Sequence, residues 1–259
     1  EIWITELNED LTAPKKDGLH RLLVSDHKNP ELGYEGSHIQ KINGYYYIFL
    51  IHSLRDRWMR TEACFYSDSL EGEFTGGDVL CDDRGYCGQG VAQGGIVDTP
   101  DGKWYAMLFQ DSGAVGRIPI LLPVTWKDHF PFFGQNGHVP EEIEVHSTRP
   151  GYIYQPLVGS DDFCNGLLPR WQFNHDPDPR YYHLDALQGT YTITTREVCT
   201  ELTQAVNTLT QRMSYPSCAA EVTVDASALK EGDVAGLCAL QSCYSAVGIT
   251  KQHAKYEVL

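Results

Sequence analysis

Two turn dipeptides, Asn43-Gly44 and Asp101-Gly102, each leading into an aromatic run, constrain this chain more than any other feature. A type I′ hairpin turn needs positive φ at both central residues, and Asn-Gly is the strongest short signal for it. The first unit reads Lys41-Ile42-Asn43-Gly44-Tyr45-Tyr46-Tyr47-Ile48-Phe49. The second reads Thr99-Pro100-Asp101-Gly102-Lys103-Trp104-Tyr105-Ala106-Met107-Leu108-Phe109. Residues 37–42 and 45–50 are rich in β-branched and aromatic types, which fit a pleated surface. Each unit is followed by a further strand, residues 60–67 and 117–126, and self-similarity of this kind is the mark of propeller blades. Helical periodicity is nearly absent. Residues 200–210 offer one short helical candidate, weakened by Asn207, Thr208 and Thr210. The expected fold is all-β, part of a β-propeller followed by part of a β-sandwich.

The composition divides the chain. Residues 1–130 read as blades, and 131–168, with Pro131, Gly134, Asn136, Gly137, Pro140, Pro150 and Gly151, read as an irregular connection. Residues 169–259 read as the start of a sandwich, with strands expected near 191–194, 219–225, 234–241 and 245–249. The formal net charge of −15 argues against nucleic acid or an anionic membrane as partner and suits a neutral ligand. No segment approaches the roughly 20 apolar residues of a membrane-spanning helix. The 8 cysteines show neither a C-x-x-C pair nor a zinc-type cluster, and several lie in apolar runs. They read as buried free thiols and favour a reducing compartment.

Four places could carry chemistry. Glu35, between Tyr34 and Gly36 at the mouth of the first hairpin, sits where aromatic surroundings would desolvate it and favour the protonated form of a general acid. Spacing alone favours an ordinary surface glutamate in a turn. His38, three residues on, is expected on the opposite face of a strand. In Gly90-Val91-Ala92-Gln93-Gly94-Gly95 the glycines mark a close approach by a ligand or another backbone, and Gln93 can both donate to and accept from a hydroxyl; a β-bulge with no functional role fits the segment equally well. Arg117, after Gly116, opens an apolar strand and needs a carboxylate or an oxygen-rich ligand. Asp176-Pro177-Asp178-Pro179 reads as a turn rather than a catalytic pair.

Taken together these segments resemble glycoside hydrolase family 43. Tyr34-Glu35-Gly36-Ser37-His38-Ile39, followed by Asn43-Gly44-Tyr45-Tyr46-Tyr47, is similar to the family's Glu-Gly-Pro-His segment, with Ser37 in place of proline. Gly116-Arg117 with Leu122-Pro123-Val124-Thr125-Trp126 resembles the strand whose arginine reaches the sugar pocket, and Gln93 stands where many members have histidine. Trp171-Gln172-Phe173-Asn174-His175-Asp176-Pro177-Asp178, residues 207–212 and residues 232–237 resemble the accessory sandwich of the larger xylosidases. The resemblance implies a five-bladed propeller and an exo-acting, inverting β-xylosidase or α-L-arabinofuranosidase acting on xylan-derived oligosaccharides. Glu35 would be the general acid, Arg117 and Gln93 would bind sugar hydroxyls, and Tyr34 and Phe109 would stack on the ring. It requires no cofactor, although a structural calcium or other divalent ion occurs in the family. The family's base aspartate has no counterpart in residues 1–33, where Asp10, Asp17 and Asp26 stand in other contexts. The chain therefore looks like an internal piece, the missing propeller segment coming from other polypeptide. A non-catalytic carbohydrate-binding or structural fragment is the alternative.

Overall fold

The computed structural model describes residues 1–214, 217–241 and 243–259. The chain divides into two compact units, Glu1–Ser147 and Thr148–Leu259.

In the first unit, β1 (Ile2–Thr5) and β2 (His20–Val24) form an antiparallel pair. β3 (Glu35–Ile42), β4 (Tyr45–Ser53), β5 (Arg60–Ser67) and β6 (Thr75–Leu80) follow as a four-stranded antiparallel meander in sequence order. β7 (Ala92–Asp98), β8 (Trp104–Asp111), β9 (Arg117–Lys127) and β10 (Phe130–Phe133) repeat that arrangement. These are two propeller blades, and their first strands, β3 and β7, lie side by side. The turn between β3 and β4 has φ of 49° at Asn43 and 91° at Gly44, as a type I′ turn requires. In the corresponding turn between β7 and β8 only Gly102 takes positive φ, because the loop is longer: Thr99 N–H donates to Lys103 O at 2.8 Å. β10 begins at Phe130 and carries the ladder through residues 131–133, pairing with β9.

β4 is buried from Tyr47 to Ser53 because it is covered on both faces. Tyr47 and Phe49 enter a core shared with Leu108, Leu122, Val124 and Phe133 of the second blade. Ile48 and Leu50, pointing the other way, pack with Val24 of β2 and Phe74. Two cross-blade hydrogen bonds fix the pairing: Tyr47 Oη donates to His129 O at 2.8 Å, and Gln40 Nε2 donates to Ile96 O at 2.8 Å.

The second unit carries β11 (Gln172–Phe173), β12 (Tyr182–Asp185), β13 (Thr190–Ile193), β14 (Leu209–Thr210), β15 (Val234–Leu240), β16 (Tyr244–Gln252) and β17 (Lys255–Val258). β11 pairs with β14, β12 with β13, and β15, β16 and β17 form a three-stranded sheet, all antiparallel. The helical candidate at 200–210 is a single 3-10 turn, Leu202–Gln204, followed by β14. Residues 219–225 join no ladder among the described residues, although their alternation suits a strand. Alternation specifies a face, and a strand also needs a partner backbone. Asp178 lies in a turn as expected, its N–H bonded to the buried Asn207 Oδ1 at 2.9 Å. The hydrogen bond from Arg180 holds the Asp178 carboxyl down at about 2. The 8 cysteines are unpaired, but the sequence reading overstated their burial: Cys64 is buried, Cys238 half-buried and the others exposed. Apolar neighbours in sequence did not mean an apolar environment, because strands such as β15 leave alternate residues in water.

Candidate active site

The first strands of the two blades are both interrupted where they meet. β3 carries a bulge between Glu35 and His38, with Gly36 at φ 62°. Glu35 opposes Ile51 and His38 opposes Phe49, two residues that share a face of β4. The extra residue therefore brings Glu35 and His38 to one side, where an uninterrupted strand would separate them. β7 carries a bulge between Ala92 and Gly95, with Gln93 in the left-handed region at φ 67°. The two bulges fit together. A methyl group on Gly36 would meet the Gln93 side chain, with Cδ at 2.8 Å, so only glycine allows this approach.

Ile51 also pairs with Glu62 on β5, so Glu35, Ile51 and Glu62 form one cross-strand row. Glu62 is completely buried, and its Oε2 accepts the Gln93 backbone N–H at 2.6 Å. Oε1 has no hydrogen-bond partner among the described residues. Burial pushes this carboxyl well above the usual carboxylate range, against the opposing pull of the Gln93 N–H and the Arg60 charge.

Arg60, two residues before Glu62 on the same face, is 4% exposed. Its guanidinium pairs with Asp111 and lies over the Phe109 ring, 4.9 Å from the centroid. Burial lowers the Arg60 guanidinium below its usual value; Asp111 opposes this, Arg117 adds to it, and Glu35 and Glu62 lie close enough to oppose it as well. Arg117 sits opposite Asp111 across β8 and β9, with Nε 3.3 Å from Asp111 Oδ1 and its guanidinium 4.6 Å from the Phe109 centroid. Asp111 thus serves two guanidinium groups, and Glu35 and Glu62 stand within electrostatic reach of Arg60.

Four of the five residues singled out from sequence converge here: Glu35, Gln93, Phe109 and Arg117. Tyr34 does not join them. Its ring packs edge-on against His52 at 5.0 Å and Phe65 at 5.3 Å, on the opposite face of the sheet. Burial, with Asp26 and Asp78 nearby, pushes its hydroxyl up to about 12. With Tyr34 turned away, Glu35 is exposed in this chain rather than desolvated by aromatic neighbours. Beside Tyr34, the buried Asp26 accepts hydrogen bonds from Asn29 Nδ2 and Arg55 Nε, both at 2.9 Å, and His52 Nε2 is 2.9 Å from Asp78 Oδ1. Arg60, Glu62 and Asp111 escaped the sequence reading. The available signal was the Arg-x-Glu alternation of residues 60–62, two charges on one face of an otherwise apolar strand. Among the described residues no three His, Cys, Asp or Glu side chains converge to hold a metal ion.

Residues 160–259 match the beta xylosidase C-terminal concanavalin A-like domain family. The solved structure of a bifunctional GH43-CE protein of Bacteroides eggerthii is 39% identical, with a TM-score of 0.81, over 99% of this chain and 33% of that one. The chain's similarities are to glycoside hydrolase family 43. The chain is also 25% identical, over 86% of its length, to a beta-xylosidase of Formosa agariphila, covering 45% of that protein. It is 25% identical, over 60% of its length, to a non-reducing end alpha-L-arabinofuranosidase of Bacteroides ovatus, covering 31% of it. The chain spans less than half the length of the curated relatives it matches.

Proposed function

We propose that this chain supplies the acid side of an exo-acting glycoside hydrolase site that removes terminal xylose or arabinose from xylan-derived oligosaccharides with inversion. The observation that carries the reading is the convergence of two strand bulges, which sets Glu35 beside Gln93 and within electrostatic reach of Arg60. Glu35 donates a proton to the leaving oxygen. Arg60 pairs with Asp111 and lies within electrostatic reach of Glu35. Gln93 and Arg117 bind sugar hydroxyls, while Phe109 seats the two guanidinium groups and lends its free edge to the sugar. The water-activating aspartate belongs to polypeptide outside these residues, with the carboxyl pair separated by roughly 6.5–9.5 Å to admit that water. Names of relatives support both sugars, a beta-xylosidase and an alpha-L-arabinofuranosidase.

The test uses the full-length protein that carries this chain, with β-D-xylosides and α-L-arabinofuranosides as substrates. Proton NMR of the first-formed sugar should show the anomer opposite to that of the substrate. The retained anomer would overturn inversion. Binding of xylo-oligosaccharides with no product would favour a carbohydrate-binding role instead.

A further inference from the structure

The interior of the first blade contains a carboxyl group to which the proposed reaction gives no role. Glu62 is fully buried, and a buried carboxyl is costly unless its hydrogen bonds are made. It makes one, to the N–H of Gln93, and leaves Oε1 without a partner among the described residues. That N–H belongs to the residue at which β7 departs from its ladder with β8, so no neighbouring strand accepts it. Gln93 is a non-glycine residue in left-handed backbone, a conformation that persists only where the surroundings hold it. Gly94, next in the chain, lies so close to β8 that a methyl group there would stand 3.0 Å from the Met107 carbonyl carbon. From the other side the Gln93 side chain lies against Gly36, adjacent to Glu35.

We propose that Glu62 is a positioning residue for Gln93: its carboxyl holds the backbone of residue 93 in the bulge that presses the Gln93 side chain against Gly36, beside the acid Glu35. This rests on the assignment of Gln93 and Glu35 to the sugar site. Glu62 acts in its neutral form, one oxygen accepting the Gln93 N–H as an amide oxygen would. Glutamine therefore reproduces it, and an apolar residue of similar volume does not.

The experiment pairs crystal structures with kinetics of the full-length protein for Glu62→Met, Glu62→Gln, Gln93→Ala and the Glu62→Met/Gln93→Ala double variant. In Glu62→Met, residue 93 should leave its positive φ and its side chain should leave Gly36. Losing one substrate hydrogen bond corresponds to about a tenfold rise in KM, expected for Glu62→Met and Gln93→Ala alike, with kcat little changed. The double variant should be no worse than either single one, the non-additivity of residues acting as a unit. Glu62→Gln should keep the bulge and a near-normal KM. An unchanged bulge in Glu62→Met overturns the proposal whatever the activity, and so do additive losses or an unchanged KM with the bulge displaced. A displaced bulge in a protein that hydrolyses neither glycoside would uphold the brace and overturn the functional reading on which it rests.

Discussion

A carboxyl buried as fully as Glu62 ties the stability of the fold to pH. Because burial raises it in the folded state, the native protein keeps a proton that the unfolded chain has released above about pH 4.3. Stability therefore falls as pH rises through the window between that value and the raised folded one. Asp26 runs the other way. Burial alone would raise it, but hydrogen bonds from Asn29 and Arg55 outweigh burial and hold it below its usual value. Its stabilising contribution is present above about pH 3.9 and is lost as pH falls through the folded value. Denaturant midpoints measured from about pH 3 to 8 should show Glu62→Gln flattening the decline above about pH 4.3 and Asp26→Asn flattening the acid limb. A Glu62→Gln protein that keeps the full wild-type decline would contradict this. The same two residues show where sequence reading stops. Asp26 stood in view but outside any motif, and its arginine partner lies 29 positions away. Glu62 stood inside a strand whose neighbours gave no hint that its oxygen would meet another blade.

At the scale of the strands, β4 carries the first blade because it is covered on both faces. Phe49, 0% exposed and 5.9 Å from Phe133 centroid to centroid, should destabilise by about 3–5 kcal/mol when replaced by alanine. Ile39, half exposed on β3, should lose less than about 1 kcal/mol under the same change. Urea unfolding of the two variants checks this, and similar losses would mean that the blade interface is not the main core. The hairpins were legible because turn chemistry is local: Asn43-Gly44 specifies its φ values with no help from the rest of the chain. The bulges were less so. Gly94 and Gly95 allowed a bulge in β7 as readily as a ligand approach, while the one in β3 went unread, because an extra residue in a strand is defined only against its partner, β8 in one case and β4 in the other. The sequence therefore separated Glu35 from His38, and the ladder put them together.

At the scale of the molecule, the all-β architecture of two blades and a sandwich-type second unit followed from the spacing of turns and the scarcity of helical periodicity. The site was legible only in part. Glu35, Gln93, Phe109 and Arg117 were each found within one strand, by a motif or a neighbouring glycine. Arg60, Glu62 and Asp111 matter because of what lies opposite them in space, which no single strand encodes. Tyr34 was misplaced because strand alternation turns it to the face opposite Glu35. With a net charge of −15, the protein suits a neutral sugar better than a polyanion. The measurement that bears most directly on this account is the leaving-group dependence of Glu35→Ala in the full-length protein, compared on xylobiose and on a dinitrophenyl β-xyloside. If Glu35 is the acid, the variant should lose about 10³-fold or more in kcat on xylobiose and less than about tenfold on the activated glycoside, which needs no proton. Equal losses on the two substrates would contradict that role for Glu35.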